Sequence, residues 1–148
     1  MATRSVIAKL DEKGVEAIYC HYDGYLSNNG KILDQHYADE DKVNELLAHG
    51  DVSTLDENIG EKINFGDIKL RAKNKQCMFY ARDRGEKYKE ATQLKDESAL
   101  LEFAFEKCDA EVVYMFAFGS WYVYDNAECI GNCSYQFIEL EEALYVRI

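Results

Sequence analysis

The chain has 148 residues, of which 47% are hydrophobic and 13% aromatic, and its formal net charge at pH 7 is −11. This length is typical of one domain, and the apolar content excludes a disordered chain. The acidic excess makes direct nucleic-acid binding unexpected, because an acidic body repels phosphate groups at long range.

The N-terminal segment MATRSVIAKLDEKG becomes polar within a few residues, so we expect no signal peptide. No apolar run approaches the roughly 18 residues that a membrane span needs. We therefore predict a cytoplasmic protein without a membrane partner. In that compartment the five cysteines, at positions 20, 77, 108, 129 and 133, are expected to be reduced thiols.

The charge is divided unevenly along the chain. Residues 69–89 hold eight basic and two acidic side chains, a net charge of +6, so the rest of the chain carries −17. A single basic stripe on an acidic body could hold a compact anion. The alternative is a solvated segment that pairs with acidic neighbours.

A β-hairpin is predicted at the start of the chain. Residues 3–10 and 15–22 are rich in β-branched and apolar side chains, and the turn-forming Asp11 and Gly14 lie between them.

The stretch YCHYDGYLSNNG, residues 19–30, ends the second strand of this hairpin. Alternation along a strand places Tyr19 and His21 on one face, and Asp23 would share that face if the strand persisted. An Asp can fix the tautomer of a histidine, so His21 and Asp23 form a candidate polar site for a small hydrolase. No nucleophile is specified, because Cys20 points to the opposite face.

We therefore interpret this stretch chiefly as a structural junction. Gly24 is expected at positive φ, and residues 27–29 are expected to cap a helix over residues 30–37. A second helix is predicted over residues 40–49, with Asp39 as its N-cap.

The next elements are less regular. Residues 51–66 show little periodicity and are predicted to form a loop. Residues 68–73 alternate apolar and basic side chains, which indicates an edge strand or a charged loop. A strand is predicted over residues 76–82.

The run RDRGEK, which follows that strand, is a candidate anion site. If the strand continues, Arg82 and Arg84 lie on one side and could clamp a phosphate or carboxylate, with Tyr80 as a stacking surface. The alternative is a turn whose arginines are satisfied by Asp83 and Glu86. The predicted ligand-binding residues are Tyr80, Arg82, Arg84, Lys87 and Tyr88.

The second half of the chain begins with a predicted helix over residues 97–107, capped by Asp96. A hairpin is predicted from residues 111–118 and 121–124, with a type II′ link in which Gly119 has positive φ.

The last two segments, residues 135–140 and 141–148, are both strand-like, although residues 140–144 could instead form a helical turn. The order of elements predicts a single α+β domain over residues 1–148, with an antiparallel sheet and about three helices packed on one face.

A metal site has little support in the sequence. Cys129 and Cys133 have a C-x₃-C spacing, but zinc needs two further ligands, and these could come only from His21, His36 or His49. We predict no metal, no cofactor and no disulfide within the chain. The common nucleotide-binding motifs are absent from the sequence.

Several motifs together resemble a family of small, mostly uncharacterised proteins encoded by bacteriophages, prophages and related mobile elements. The resemblance extends to about residue 125, and the sequence departs from it at Leu26, where a proline is expected. The motifs are TRSVIA at 3–8, YCHYDGY at 19–25, HYADEDKV at 36–43, GDVSTL at 50–55, YARDRGE at 80–86 and WYVYD at 121–125.

The resemblance implies an origin in a bacterial host cell and names no reaction. Small acidic proteins of phages often act by binding, so the leading hypothesis is a non-enzymatic inhibitor of a bacterial defence system. It would block a host protein through an acidic, tyrosine-rich surface. A second hypothesis is sequestration of a nucleotide signal near Arg82 and Arg84, and a third is the small hydrolase. Self-association is left open.

Overall fold

The computed structural model describes residues 2–125 and 137–146, and within these residues eight strands form one mostly antiparallel sheet. Across the sheet the order is β4-β3-β2-β1-β6-β7-β8, and β5 also pairs with β2. Only β1 with β6 and β2 with β3 pair in parallel. The strands are β1 Ser5–Asp11, β2 Gly14–Cys20, β3 Val52–Thr54, β4 Met78–Phe79, β5 Thr92–Leu94, β6 Val112–Ala117, β7 Ser120–Asp125 and β8 Ile138–Glu139.

Helices connect these strands, and the predicted α+β class is confirmed. The α-helices are α1 Lys31–His36, α2 Glu40–Ala48, α3 Ile68–Asn74, α4 Tyr80–Arg84 and α5 Glu97–Glu102, and π-helical turns cover Leu26–Gly30, Phe103–Lys107 and Glu142–Val146. The predicted N-caps are confirmed: the side chain of Asp39 accepts from the Asp41 amide, and that of Asp96 accepts from the Ala99 amide. The predicted three helices are too few.

Helical segments cover both faces of the sheet, so the prediction that they pack on one face is wrong. On one face Ile7 and Ile18 pack with residues of α1 and α2. On the other face Val6 packs with Leu100 of α5 and with Ala104. The physical reason is that β1 and β6 carry apolar side chains on both sides, and a strand without a polar face must be covered twice.

The two predicted hairpins, β1–β2 and β6–β7, are both confirmed. The turn of the second differs from the prediction. Ala117 pairs with Ser120, so the two-residue link is Phe118-Gly119, and both residues have positive φ, 54° and 78°. Two central residues at positive φ define a type I′ turn rather than type II′.

Two predictions between residues 68 and 82 are wrong. Residues 68–73 belong to helix α3, because the carboxylate of Asp67 caps the amide of Leu70 and starts a helix, none of whose residues is buried. The strand predicted over residues 76–82 ends at Phe79. There the buried carboxylate of Asp83 accepts the Phe79 amide and starts α4.

Three further differences lie in segments that the sequence described as loop, cap or strand. The predicted loop over residues 51–66 contains β3. Residues 27–29 lie inside the π-helical turn and do not cap it, because that turn begins at Leu26 without a side-chain cap. The segment 141–148 was predicted as strand-like, with a helical turn over residues 140–144 as the alternative, and its described part contains the π-helical turn Glu142–Val146.

Candidate functional site

Arg82 is a structural residue, and the interpretation that it shares one side of a strand with Arg84 is wrong because both lie on helix α4. Its Nε and Nη2 atoms donate to the carboxylate of Asp83, at 2.9 and 3.1 Å, and Nη1 donates to the carbonyls of Ile59 and Gly60. Nη2 also donates to the carbonyl of Cys77. All five N–H groups of the guanidinium therefore have protein acceptors, and none remains for a ligand.

The Arg84 side chain, in contrast, is 55% exposed, and it forms an exposed ion pair with Glu86 at 3.3 Å. Its guanidinium lies over the rings of Phe65 and Tyr80, at 5.3 and 6.0 Å from their centroids. Phe65 and Tyr80 also contact each other. The structure thus pairs Tyr80 with Arg84 and excludes Arg82 from that group.

The remaining two residues of the predicted anion site follow α4 in an irregular segment. Lys87 is exposed there. Tyr88 is also exposed, and its hydroxyl donates to the carbonyl of Ala48 at 2.7 Å.

His21 is oriented by Tyr19 and not by Asp23. Tyr19 Oη lies 2.6 Å from His21 Nδ1, and the ring of Tyr22 meets the His21 ring edge-on at 4.5 Å between centroids. Asp23 takes φ 55°, which ends the strand alternation that would have placed it beside His21. The structure therefore supplies an imidazole with a phenol partner, rather than the predicted His–Asp pair.

The fold brings His21 and Tyr80 to the same end of the sheet. The amides of His21 and Tyr22 donate to the carbonyls of Val52 and Ser53 in β3, and the amide of Tyr80 donates to the carbonyl of Asp51 just before β3. The side chain of Tyr80 lies near Ser53, which lowers the pKa of the Tyr80 phenol. We call the group formed by Tyr19, His21, Tyr22 and Tyr80 the aromatic cluster.

Arginines lie at two sides of the aromatic cluster. Arg84 contacts Tyr80, as described above, and Arg4 lies close enough to the side chain of Tyr19 to affect the pKa of that phenol. Arg4 also pairs with Asp109 at 3.3 Å, and the Asp109 side chain is almost fully exposed. The rim of the cluster is therefore polar and carries both signs of charge.

Burial controls the protonation of the cluster. Partial burial raises the pKa of Tyr19, and the nearby Arg4 guanidinium opposes this effect. Burial also raises the pKa of Tyr80. It lowers the pKa of His21, and the nearby positive charge of Arg4 lowers it further. At neutral pH the Tyr19 and Tyr80 phenols and the His21 imidazole are consequently uncharged, so each phenol can donate a hydrogen bond and the imidazole offers one donor and one acceptor nitrogen.

Burial favours the neutral thiol form of each cysteine that the structure describes. Burial raises the pKa of Cys20 to about 12 and that of Cys108 to about 11, and it also raises the pKa of Cys77. A thiol, unlike a thiolate, is a poor nucleophile and metal ligand. Cys129 and Cys133 lie outside the described residues. Among the residues that are described, no three His, Cys, Asp or Glu side chains gather as a metal site would require.

Gly24 makes the junction after β2 possible through close contact and not through positive φ, which occurs at Asp23 instead. A Cβ atom at Gly24 would lie 2.6 Å from Ser5 Cβ and 2.8 Å from the Thr3 carbonyl oxygen. The Gly24 carbonyl accepts from the hydroxyl of Tyr114 at 2.6 Å. The junction is thus fastened to β1 and β6, which fixes the position of the aromatic cluster.

Sequence reasoning missed Arg4, Ser53 and Phe118. Arg4 lies opposite His21 if the β1–β2 register is continued by one residue, so the predicted hairpin could have found it. Ser53 could not have been found, because its place depends on parallel pairing of β2 with β3. Phe118 is 91% exposed at the tip of the β6–β7 hairpin, and the dipeptide Phe-Gly at a predicted turn was its signal.

No known protein family, curated protein or solved structure matches the chain. Across residues 2–125 and 137–146, no helix has the length and apolar character needed to cross a membrane. The resemblance to phage-encoded proteins therefore stays a prediction.

Proposed function

We propose that this chain is a phage-type, non-enzymatic binding protein that inhibits a bacterial defence system by blocking a host protein. The contact surface of this proposal is the aromatic cluster with its rim of Arg4 and Arg84. The observation that carries the proposal is a group of four rings, none of them buried, in which His21 contacts both Tyr19 and Tyr22 and the backbone of Tyr80 is hydrogen-bonded beside β3.

Composition and rigidity both support a protein contact at this surface. Tyrosine and arginine are the residue types enriched at the energetic centres of protein interfaces. The Tyr19–His21 hydrogen bond and the edge-on contact of His21 with Tyr22 hold the rings in place. Rings that are ordered before binding lose little conformational freedom on binding, so a larger part of the contact energy becomes affinity.

Charge supports a basic partner. The chain carries −11 overall, and the almost fully exposed carboxylate of Asp109, which pairs with Arg4, lies at the rim of the cluster. A host protein that binds nucleic acid presents a basic groove, and an acidic body is steered towards such a groove at long range. Occupation of the groove would prevent nucleic-acid binding by the host protein.

Sequestration of a nucleotide signal is the second candidate, favoured by the contact of Arg84 with two aromatic rings. The structure gives this hypothesis less support than the sequence does, because Arg82 has no free hydrogen-bond donor for a phosphate. The hydrolase hypothesis has lost its Asp23 partner, and Tyr19 is not a general base at neutral pH, since burial raises its pKa.

Affinity capture from a bacterial lysate tests these functions together. Wild-type protein, Tyr22→Ala and Tyr145→Ala are immobilised at equal density, and bound proteins and extracted nucleotides are identified by mass spectrometry. The two tyrosines are matched in exposure, 45% and 50%, but only Tyr22 belongs to the cluster. We expect a host protein that wild type and Tyr145→Ala retain and Tyr22→Ala loses.

A nucleotide retained in the same pattern would support the second candidate instead. A host protein held equally by all three forms would contradict the assignment of the surface.

A further inference from the structure

Phe118 occupies a position that costs stability. It is 91% exposed, and its φ of 54° lies in the left-handed region, which a bulky aromatic residue rarely adopts. The first central position of a type I′ turn favours Asn, Asp or Gly. A bulky residue held in such a backbone conformation is a candidate for a functional contact, and the exposed ring of Phe118 leaves that contact to something outside the chain.

The surroundings of Phe118 are acidic. Gly119 and Ser120, the next residues of the hairpin, line a surface cavity of about 170 Å³ with Trp121 at its wall. Three carboxylate side chains, those of Asp34, Glu139 and Glu141, also line this cavity, and none of the lining residues that the structure describes is basic. A partner at this tip therefore needs an apolar group next to positive charge.

Helix α3 has this combination of properties. Ile68 is 69% exposed and Leu70 is 38% exposed, and no residue of the helix is buried. The segment 68–75 carries four basic side chains and no acidic one. One of them, Arg71, is paired with Asp56. The lysines at 69, 73 and 75 are exposed.

These two surfaces cannot meet within one molecule. Helix α3 leads into β4, at one edge of the sheet, whereas Phe118 joins β6 and β7 on the other side of β1. We propose that the hairpin tip of one copy of this chain docks on α3 of a second copy, with Phe118 against Ile68 and Leu70 and the carboxylates against the lysines.

The proposed contact is heterologous, since each copy supplies two different surfaces. Every added copy leaves one hairpin tip and one α3 unoccupied, so assembly continues until a ring closes or grows as an open chain. The ion pairs at its rim are exposed, so salt must weaken the assembly.

The test is sedimentation velocity of the full chain in reducing buffer, over an about hundredfold range of concentration. Salt is varied from about 0.05 M to about 0.5 M. Four forms are compared: wild type, Phe118→Asn, Lys69→Glu on α3, and Lys87→Glu as a control in the same basic stripe but outside α3.

We expect species larger than the monomer at low salt, with at least ~10-fold weaker association in Phe118→Asn and Lys69→Glu. Lys87→Glu should match wild type. Phe118→Asn should also raise the melting temperature, because Asn suits the turn. A structural role for Phe118 predicts the opposite shift.

Three results would overturn the proposal: a monomer at every concentration at low salt, assembly that salt does not weaken, or assembly that survives either of the two variants.

Discussion

Replacing Arg82 by Gln should unfold this protein far more readily than replacing Arg84 by Gln. The Arg82 side chain is 12% exposed and its partner, the Asp83 carboxylate, is fully buried, whereas Arg84 and Glu86 are each about half exposed. Removing the guanidinium leaves the Asp83 charge without its cation and leaves the carbonyls of Ile59, Gly60 and Cys77 without that donor.

The magnitude follows from the burial of the pair. Breaking a buried ion pair from one side costs about 3–5 kcal/mol. At roughly 2–4 °C for each kcal/mol in a chain of this size, Arg82→Gln should lower the melting temperature by roughly 6–20 °C. An exposed pair contributes about 0–1 kcal/mol, so Arg84→Gln should lower it by no more than about 4 °C.

Urea denaturation measures both variants, with the fluorescence of Trp121 as the probe. Trp121 is the only tryptophan of the chain and is buried. Its indole nitrogen donates to the carbonyl of Tyr37, so its signal reports on the core below α1. Free energies of unfolding that agree within about 1 kcal/mol for the two variants would refute the structural role of Arg82.

Three other predictions concern the junction, the histidines and the thiols. Gly24→Ala should lower the free energy of unfolding in urea melts by about 2 kcal/mol or more, because the new Cβ meets the Thr3 carbonyl. The control Gly66→Ala, whose Cβ would meet no atom within 4 Å, should stay within about 0.5 kcal/mol of wild type. Equal effects of the two substitutions would refute the close contact at Gly24. Burial lowers the pKa of His49 and of His21, so the stability that these neutral residues contribute is present above pH ~6.5 and is lost as the pH falls below that value. His49→Gln should therefore reduce the fall in the free energy of unfolding between about pH 7 and about pH 5.5, and an unchanged slope would contradict the burial effect. Cys20 and Cys77 should resist iodoacetamide in the native protein and react in guanidinium, as peptide mapping would record; rapid native labelling of either would contradict its burial.

Local patterns predicted those elements in which neighbouring residues decide the structure. The β1–β2 hairpin follows from β-branched runs around Asp11 and Gly14, and α2 and α5 follow from their Asp caps. Gly119 was expected at positive φ from its place between two β-rich runs. In each case the deciding residues lie within a few positions of the element.

Long-range contacts decided the rest. The alternation of Ile68, Leu70 and three basic residues is typical of an edge strand, yet α3 packs no residue into a core, so burial did not select its structure. The local sequence predicts that Arg82 binds a ligand, but its guanidinium donates to the carbonyls of Ile59 and Gly60, which lie 23 and 22 residues earlier in the chain. The aromatic cluster exists because β2 pairs in parallel with β3, and no local pattern predicts that pairing.

The central claim is that a host protein contacts the aromatic cluster, and site-specific photo-crosslinking in living bacteria tests it most directly. A photo-reactive phenylalanine analogue replaces Tyr22 in one form and Tyr145 in the control. The account predicts a crosslinked host protein from position 22 and none from position 145. Crosslinking to a host protein from position 145 alone would contradict it.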